Sequence, residues 1–150
     1  MVASFTALVS RSATDPPHPV DRSLDAGLVG HCPDYVVIAN ATADHHDALQ
    51  SLATLGFNGQ VLVEKPLFSA PEAMNALPFA SCHVAYNLRF RPIIEWTRAE
   101  LTGERSLSVM AYAGQHLPDW RPGTDYRQSY SAYTARGGGV LRDLSHELDY

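Results

Sequence analysis

The stretch Gly59-Gln60-Val61-Leu62-Val63-Glu64-Lys65-Pro66 decides how this chain reads. Three consecutive apolar residues, two of them β-branched, lie between Gly59 and Pro66. That is the pattern of a strand buried in a parallel sheet and ending in a turn. The strand runs into the chain's single lysine, while arginine supplies the other ten of its eleven basic residues. Lys65 is therefore not one of many solubilising lysines. In an open α/β sheet, ligands bind at the carboxyl ends of the strands. A lysine there can be desolvated and aimed at a substrate. Taken alone, Lys65 reads equally well as a strand-end lysine pointing into water.

Working outward, apolar runs of strand length alternate with helical periodicity. Ala3 to Val9 reads as a strand, followed by a Pro-rich loop through Asp15-Pro16-Pro17-His18-Pro19. Residues 22–30 read as a short helix with Leu24 and Leu28 at i, i+4. Tyr35-Val36-Val37-Ile38-Ala39-Asn40 is a second strand. Ala41 to Leu55 read as a helix, with Thr42 or Asp44 as N-cap and Leu49, Leu52, Ala53 and Leu55 inward. After the Lys65 strand, Ser69-Ala70-Pro71-Glu72 is a capping box that predicts a helix to about Leu77. Ser81 to Tyr86 read as a strand, Pro92 to Leu101 as a helix and Ser106 to Ala113 as another strand. A polar, aromatic loop spans about 114–136, and Gly137-Gly138-Gly139 opens a helix running to Tyr150. Strands alternating with helices predict an α/β fold with a mostly parallel sheet. The composition shifts after about residue 104, which predicts one domain over 1–104 and the start of a second over 105–150.

Hydrophobic content of 45% and charge of 18% fit a globular protein of about one domain. A net charge of -5 without a basic run argues against nucleic acid and anionic membrane as partners. No run approaches membrane-span length. Cys32 and Cys82 lack metal-ligand spacing and fit a reducing compartment, so the expected location is the cytoplasm. His45 and His46 are adjacent, about 100° apart on a helix, and do not share a metal easily. No metal site is expected.

Five clusters carry chemistry. Ser10-Arg11-Ser12 ends the first strand. Ala39-Asn40-Ala41-Thr42 followed by His45 lets a ligand approach the backbone between strand and helix. Glu64-Lys65-Pro66 and Tyr86-Asn87-Leu88-Arg89-Phe90-Arg91 lie just past two strands. Gly137 to Asp149 puts Val140, Leu141, Leu144 and Leu148 in one apolar stripe. Asp143 and His146, at i, i+3, share another face. A carboxylate beside an imidazole can orient it and raise its basicity, as a general base requires. An exposed Asp/His pair on a helix is the ordinary alternative.

In their order and spacing these clusters resemble the Gfo/Idh/MocA oxidoreductases, which act mostly on sugars and polyols with NAD(P). The resemblance implies a partial Rossmann-like, doubly wound parallel sheet followed by the start of an α+β substrate domain. It implies hydride transfer to or from a sugar-like small molecule, in a parent protein that is a homo-oligomer. Lys65 corresponds to the family's Glu-Lys-Pro lysine, which touches the nicotinamide ribose and the reacting hydroxyl. Asp143 and His146 correspond to the family's helix aspartate and histidine, though most members place that histidine four residues after the aspartate. Here Glu147 occupies that fourth position. Asn40, Ala41, Thr42, His45, Glu64 and Asn87 are expected on the nicotinamide side and Ser10, Arg11 and Ser12 on the adenosine side. An arginine with serines and no acid suits a 2′-phosphate, so NADP is favoured over NAD. Arg89, Trp120, Arg121, Tyr126 and Arg127 are expected to meet the sugar.

The departure is an absence. The family opens with a strand and a Gly-x-Gly-x-x-Gly turn that holds the pyrophosphate, and this chain has no such turn. The expectation is a chain covering the middle of a protein roughly twice as long. The competing reading is a truncated, catalytically inactive remnant of a nucleotide-binding fold. A metal hydrolase built on His45, His46 and His146 is poor on spacing.

Overall fold

The computed structural model of the chain describes residues 8–9, 20–74 and 76–149. Two short strands come first. β1 (Leu8–Val9) pairs in parallel with β2 (Val20–Asp21). The rest of the predicted first strand, and Ser10, Arg11 and Ser12, lie outside the described residues. The sequence reading has no counterpart of β2. Helix α1 (Leu24–His31) follows; the Ser23 side chain accepts a hydrogen bond from the Ala26 N–H at 3.2 Å, and Cys32, at φ 44°, terminates the helix. Leu24 and Leu28 both face the core, as their spacing predicts.

The main sheet is parallel and three-stranded, in the order β3 (Tyr35–Ile38), β4 (Gln60–Val63), β5 (Ser81–Val84). Its register pairs Ile38 with Val63 and Val63 with Val84, so all three strands stop at one edge. Helix α2 (His45–Thr54) links β3 to β4 and lies on one face. Leu49, Leu52, Val61 and Val63 are 0% exposed and, with Ile38 and Phe57, form the core. Gly59 admits the chain into β4, because a Cβ there would strike the Asp34 carbonyl and the Phe57 ring. Two details differ from the sequence reading. Leu55 turns outward and Phe57, just past the helix, fills its place. Neither Thr42 nor Asp44 caps α2 with its side chain: Thr42–Asp44 form a 3-10 turn leading straight into the helix.

Three predicted elements do not form. Between β4 and β5 the capping box at Ser69 is followed by no helix. The span before Pro78 is too short to stand as a helix, since isolated helices under about 12 residues are marginal in water. Instead Leu67, Phe68, Met74, Leu77 and Phe79 pack against the core from an irregular crossover. The predicted strand Ser106–Ala113 has no pairing partner among the described residues, and a strand without a ladder is not one. Leu107 is 90% and Tyr112 99% exposed there. The helix after the triple glycine stops after one turn, α5 (Val140–Asp143), because Leu144 leaves helical geometry at φ -100°, ψ 22°. Ser145–Leu148 continue as a 3-10 turn. Val140, Leu141 and Leu148, the expected apolar stripe, are exposed.

Helix α3 (Pro92–Glu100) starts on a proline, as predicted, and buries none of its residues. Past it, the short helix α4 (Leu117–Trp120) and three 3-10 turns between Tyr126 and Arg136 make up the aromatic loop. Among the described residues no helix is long and apolar enough to cross a membrane.

Candidate active site at the carboxyl edge of the sheet

Ladder hydrogen bonds fix the chain as it leaves the sheet. The Glu64 N–H donates to the Ile38 carbonyl and the Ala85 N–H to the Val63 carbonyl, each at 2.8 Å. Lys65 and Tyr86 are thereby set side by side at the edge predicted to carry a site. The Lys65–Pro66 peptide is cis. A buried histidine braces this turn. His45 is 1% exposed; its Nδ1 lies 3.1 Å from the Pro66 carbonyl oxygen and 3.0 Å from that of Leu67, and its Nε2 lies 3.3 Å from the Asn40 carbonyl oxygen. The ring is thus wedged between the exits of β3 and β4, its single N–H donating to one side or the other according to tautomer. It does not face outward toward a cofactor, as the sequence reading expected. Its place at the first turn of α2, just after a strand, was the available signal.

The C-terminal segment returns to this edge. Lys65 Nζ donates to the Asp143 carbonyl oxygen at 2.5 Å. Burial pushes the Lys65 ammonium below its ordinary pKa, against the pull of Asp143 and Glu64. His146 sits edge-on to Tyr86, with ring centres 5.6 Å apart and planes at 84°. Burial lowers the His146 pKa and the Lys65 charge lowers it further, while Glu147, Asp149 and Glu64 oppose the shift. Both effects favour the neutral imidazole, the form a proton acceptor needs. His146 Nδ1 and Ser145 Oγ are buried without a hydrogen-bond partner among the described residues.

Asp143 does not orient His146. Its carboxylate accepts from Ser131 Oγ at 3.4 Å and from the Gly139 N–H at 3.2 Å, closing the turn that starts α5. The break at Leu144 explains the difference: an i, i+3 pair shares a face only while the helix continues. Gly137, at φ 87°, lies so close to Thr42 that a Cβ would collide with the threonine side chain. Thr42 is buried under it, whereas Asn40, Ala41, Glu64 and Asn87 are exposed at the edge. Arg89, an expected substrate contact, is already held by Asp149 through two hydrogen bonds of 2.5 Å. That pairing holds the Asp149 carboxyl below its ordinary pKa.

The aromatic loop contributes a cleft of about 100 Å³ bordered by Gln115, Leu117, Trp120, Ser131, Val140 and Asp143. Trp120 lines it, and Tyr126 lines a smaller depression beside it together with Arg121. Arg127 reaches Asp125 at 3.7 Å and lies over the Tyr126 ring at 4.8 Å. Sequence reasoning quoted Tyr86, Ser145 and Asp149 within its clusters but gave them no role of their own, and it passed over Ser131; only the fold brings their side chains to this site. Among the described residues no group of histidine, cysteine and carboxylate side chains is placed to hold a metal. Compared with protein-family models, curated proteins and solved structures, the chain matches none.

Proposed function

We propose that this chain carries the nicotinamide and substrate half of an NAD(P)-dependent oxidoreductase acting on a sugar or polyol, in a partial Rossmann-like fold. The observation that carries the reading is the meeting of Lys65 with the Asp143–His146 segment, 78 residues away, at the carboxyl edge of a parallel sheet. The strand order supports it, since β3-β4-β5 corresponds to the 4-5-6 half of the 3-2-1-4-5-6 order. The residues present fit one half of the cofactor. Asn40, Ala41, Glu64 and Asn87 are open at the edge, beside Lys65 and a His146 imidazole whose pKa is lowered by burial. The pyrophosphate end has no glycine-rich turn in this sequence.

When bound, the nicotinamide supplies the hydride chemistry. Lys65 holds the substrate oxygen and favours its developing negative charge. His146 takes the hydroxyl proton. Asp143 acts through backbone and turn, positioning Lys65 with its carbonyl and closing the α5 turn with its carboxylate.

The expected behaviour of the isolated chain is dinucleotide binding weaker than micromolar by calorimetry. A version preceded by a strand and Gly-x-Gly-x-x-Gly turn is expected to turn over a sugar or polyol with NADP, and Lys65→Arg lowers that turnover by on the order of a hundredfold. Undiminished turnover in Lys65→Arg sinks the reading. A remnant of the fold that catalyses nothing is the second reading, favoured by the exposure of Tyr35 and Val37 on the second face of the sheet. It predicts no turnover in any version.

A further inference from the structure

Most arginines near the site are engaged. Arg89 is held by Asp149, Arg127 by Asp125, and Arg142 by the carbonyls of Thr134 and Gly138. Arg121 is different. Its guanidinium carbon lies 5.6 Å from the Trp120 ring centre and 5.8 Å from the Tyr130 ring centre. No carboxylate pairs with it among the described residues. Two aromatic rings therefore fix a cation whose charge nothing balances, and such a group is preorganised to take an anion.

The space beside it limits the ligand. Leu117, Trp120 and Ser131 border both the depression that contains Arg121 and the cleft that reaches Asp143. The cleft's volume falls below the range of about 300–1,000 Å³ typical for drug-sized ligands. A cleft of this size, open on one side, suits a single small ring. An indole wall suits the C–H face of a pyranose. Arg121 lies on that same indole, so the anion it meets must sit within a bond or two of the sugar ring. A carboxylate attached directly to the ring satisfies this; a phosphate ester, longer and bulkier, does not.

We propose that the cleft beside Trp120 binds a monosaccharide acid, with its ring on Trp120 and its carboxylate on Arg121. This names the substrate class for the reading above and rests on that reading for the chemistry, though not for the binding. The test uses the chain with Trp96→Phe, which leaves Trp120 as the sole indole. Its fluorescence is titrated with glucuronate, glucose and glucose 6-phosphate, without cofactor. Glucuronate is expected to bind at least about tenfold more tightly than glucose, and Arg121→Gln to bring the ratio to about one while leaving glucose binding unchanged. Arg121→Lys, which keeps the charge without the planar fork, is expected to recover only part of the preference. Equal binding of glucose, a ratio that survives Arg121→Gln, tighter binding of glucose 6-phosphate, or no response to glucuronate would each overturn the proposal. No turnover is measured, so failure here leaves the Lys65 prediction standing, and failure of hydride transfer leaves this one standing.

Discussion

The two faces of the three-stranded sheet are built from the same kind of residue and have different fates. Val36, Ile38, Val61 and Val63 point to the side covered by α2, and Val61 and Val63 are completely buried. Tyr35 and Val37 point to the other side and are 47% and 52% exposed. Parallel sheets are normally covered on both faces, and their strands read as continuous apolar runs for that reason. Tyr35-Val36-Val37-Ile38 and Val61-Leu62-Val63 have that double-sided character, but among the described residues only one side has a partner. Burial, and not apolar content, decides which of these residues stabilises the fold.

The largest effect that would break this comparison is thermodynamic. Leu52→Ala is expected to lower the unfolding free energy by about 2–5 kcal/mol in urea, or to abolish the cooperative transition. Val37→Ala should stay within about 0.5 kcal/mol. Equal losses, measured below the concentration at which the chain self-associates, would mean that the second face is covered within a single chain. A smaller effect belongs to the edge where the covered face meets the site. His45→Phe keeps the ring but removes its single N–H, which serves either the Pro66 and Leu67 carbonyls or that of Asn40, at an expected loss of about 1–3 kcal/mol. A phenylalanine variant as stable as the wild type would show that packing alone holds the turn.

The uncovered face gives a prediction with almost no change in stability. The wild-type chain is expected to self-associate at micromolar concentration through its exposed apolar surface, while Tyr35→Lys with Val37→Lys shifts it toward monomer in light scattering. A monomeric wild type would count against the comparison. The smallest effect is a slope. His146 has its pKa depressed in the folded state, so the unfolded chain binds more protons as pH falls through the ordinary histidine value. Its contribution to stability is full above that value and is lost on acidification. His146→Gln should therefore flatten the fall in stability between about pH 7 and pH 5. An unchanged slope would show that folding does not lower the His146 pKa.

Much of this arrangement was legible in the sequence. The strands at Tyr35, Val61 and Ser81, the helix at His45 and the proline-started helix at Pro92 were readable because their patterns are local. Lys65 was legible because it is alone. What failed depended on partners. Ser69–Glu72 has the chemistry of a helix start, but apolar residues such as Met74 and Phe79 were drawn to the core first. Ser106–Ala113 has the composition of a strand and no neighbour to pair with. Asp143 and His146 have helix spacing, but the turn at Leu144 separates their roles. His45 reads as a surface histidine until the carbonyls of Pro66 and Leu67, more than twenty residues away, are brought against it.

The Lys65 contact with Asp143 also sets an order of assembly. It closes a loop of 78 residues, and the Arg89 pairing with Asp149 closes one of 60. The His45 brace to Pro66 closes only 21. Closure entropy grows with the logarithm of loop length, so the lysine contact costs about 1.2 kcal/mol more to close than the brace. Long-range contacts of this kind form slowly. On these lengths the sheet and its braced turn are expected to form before the lysine meets the imidazole segment.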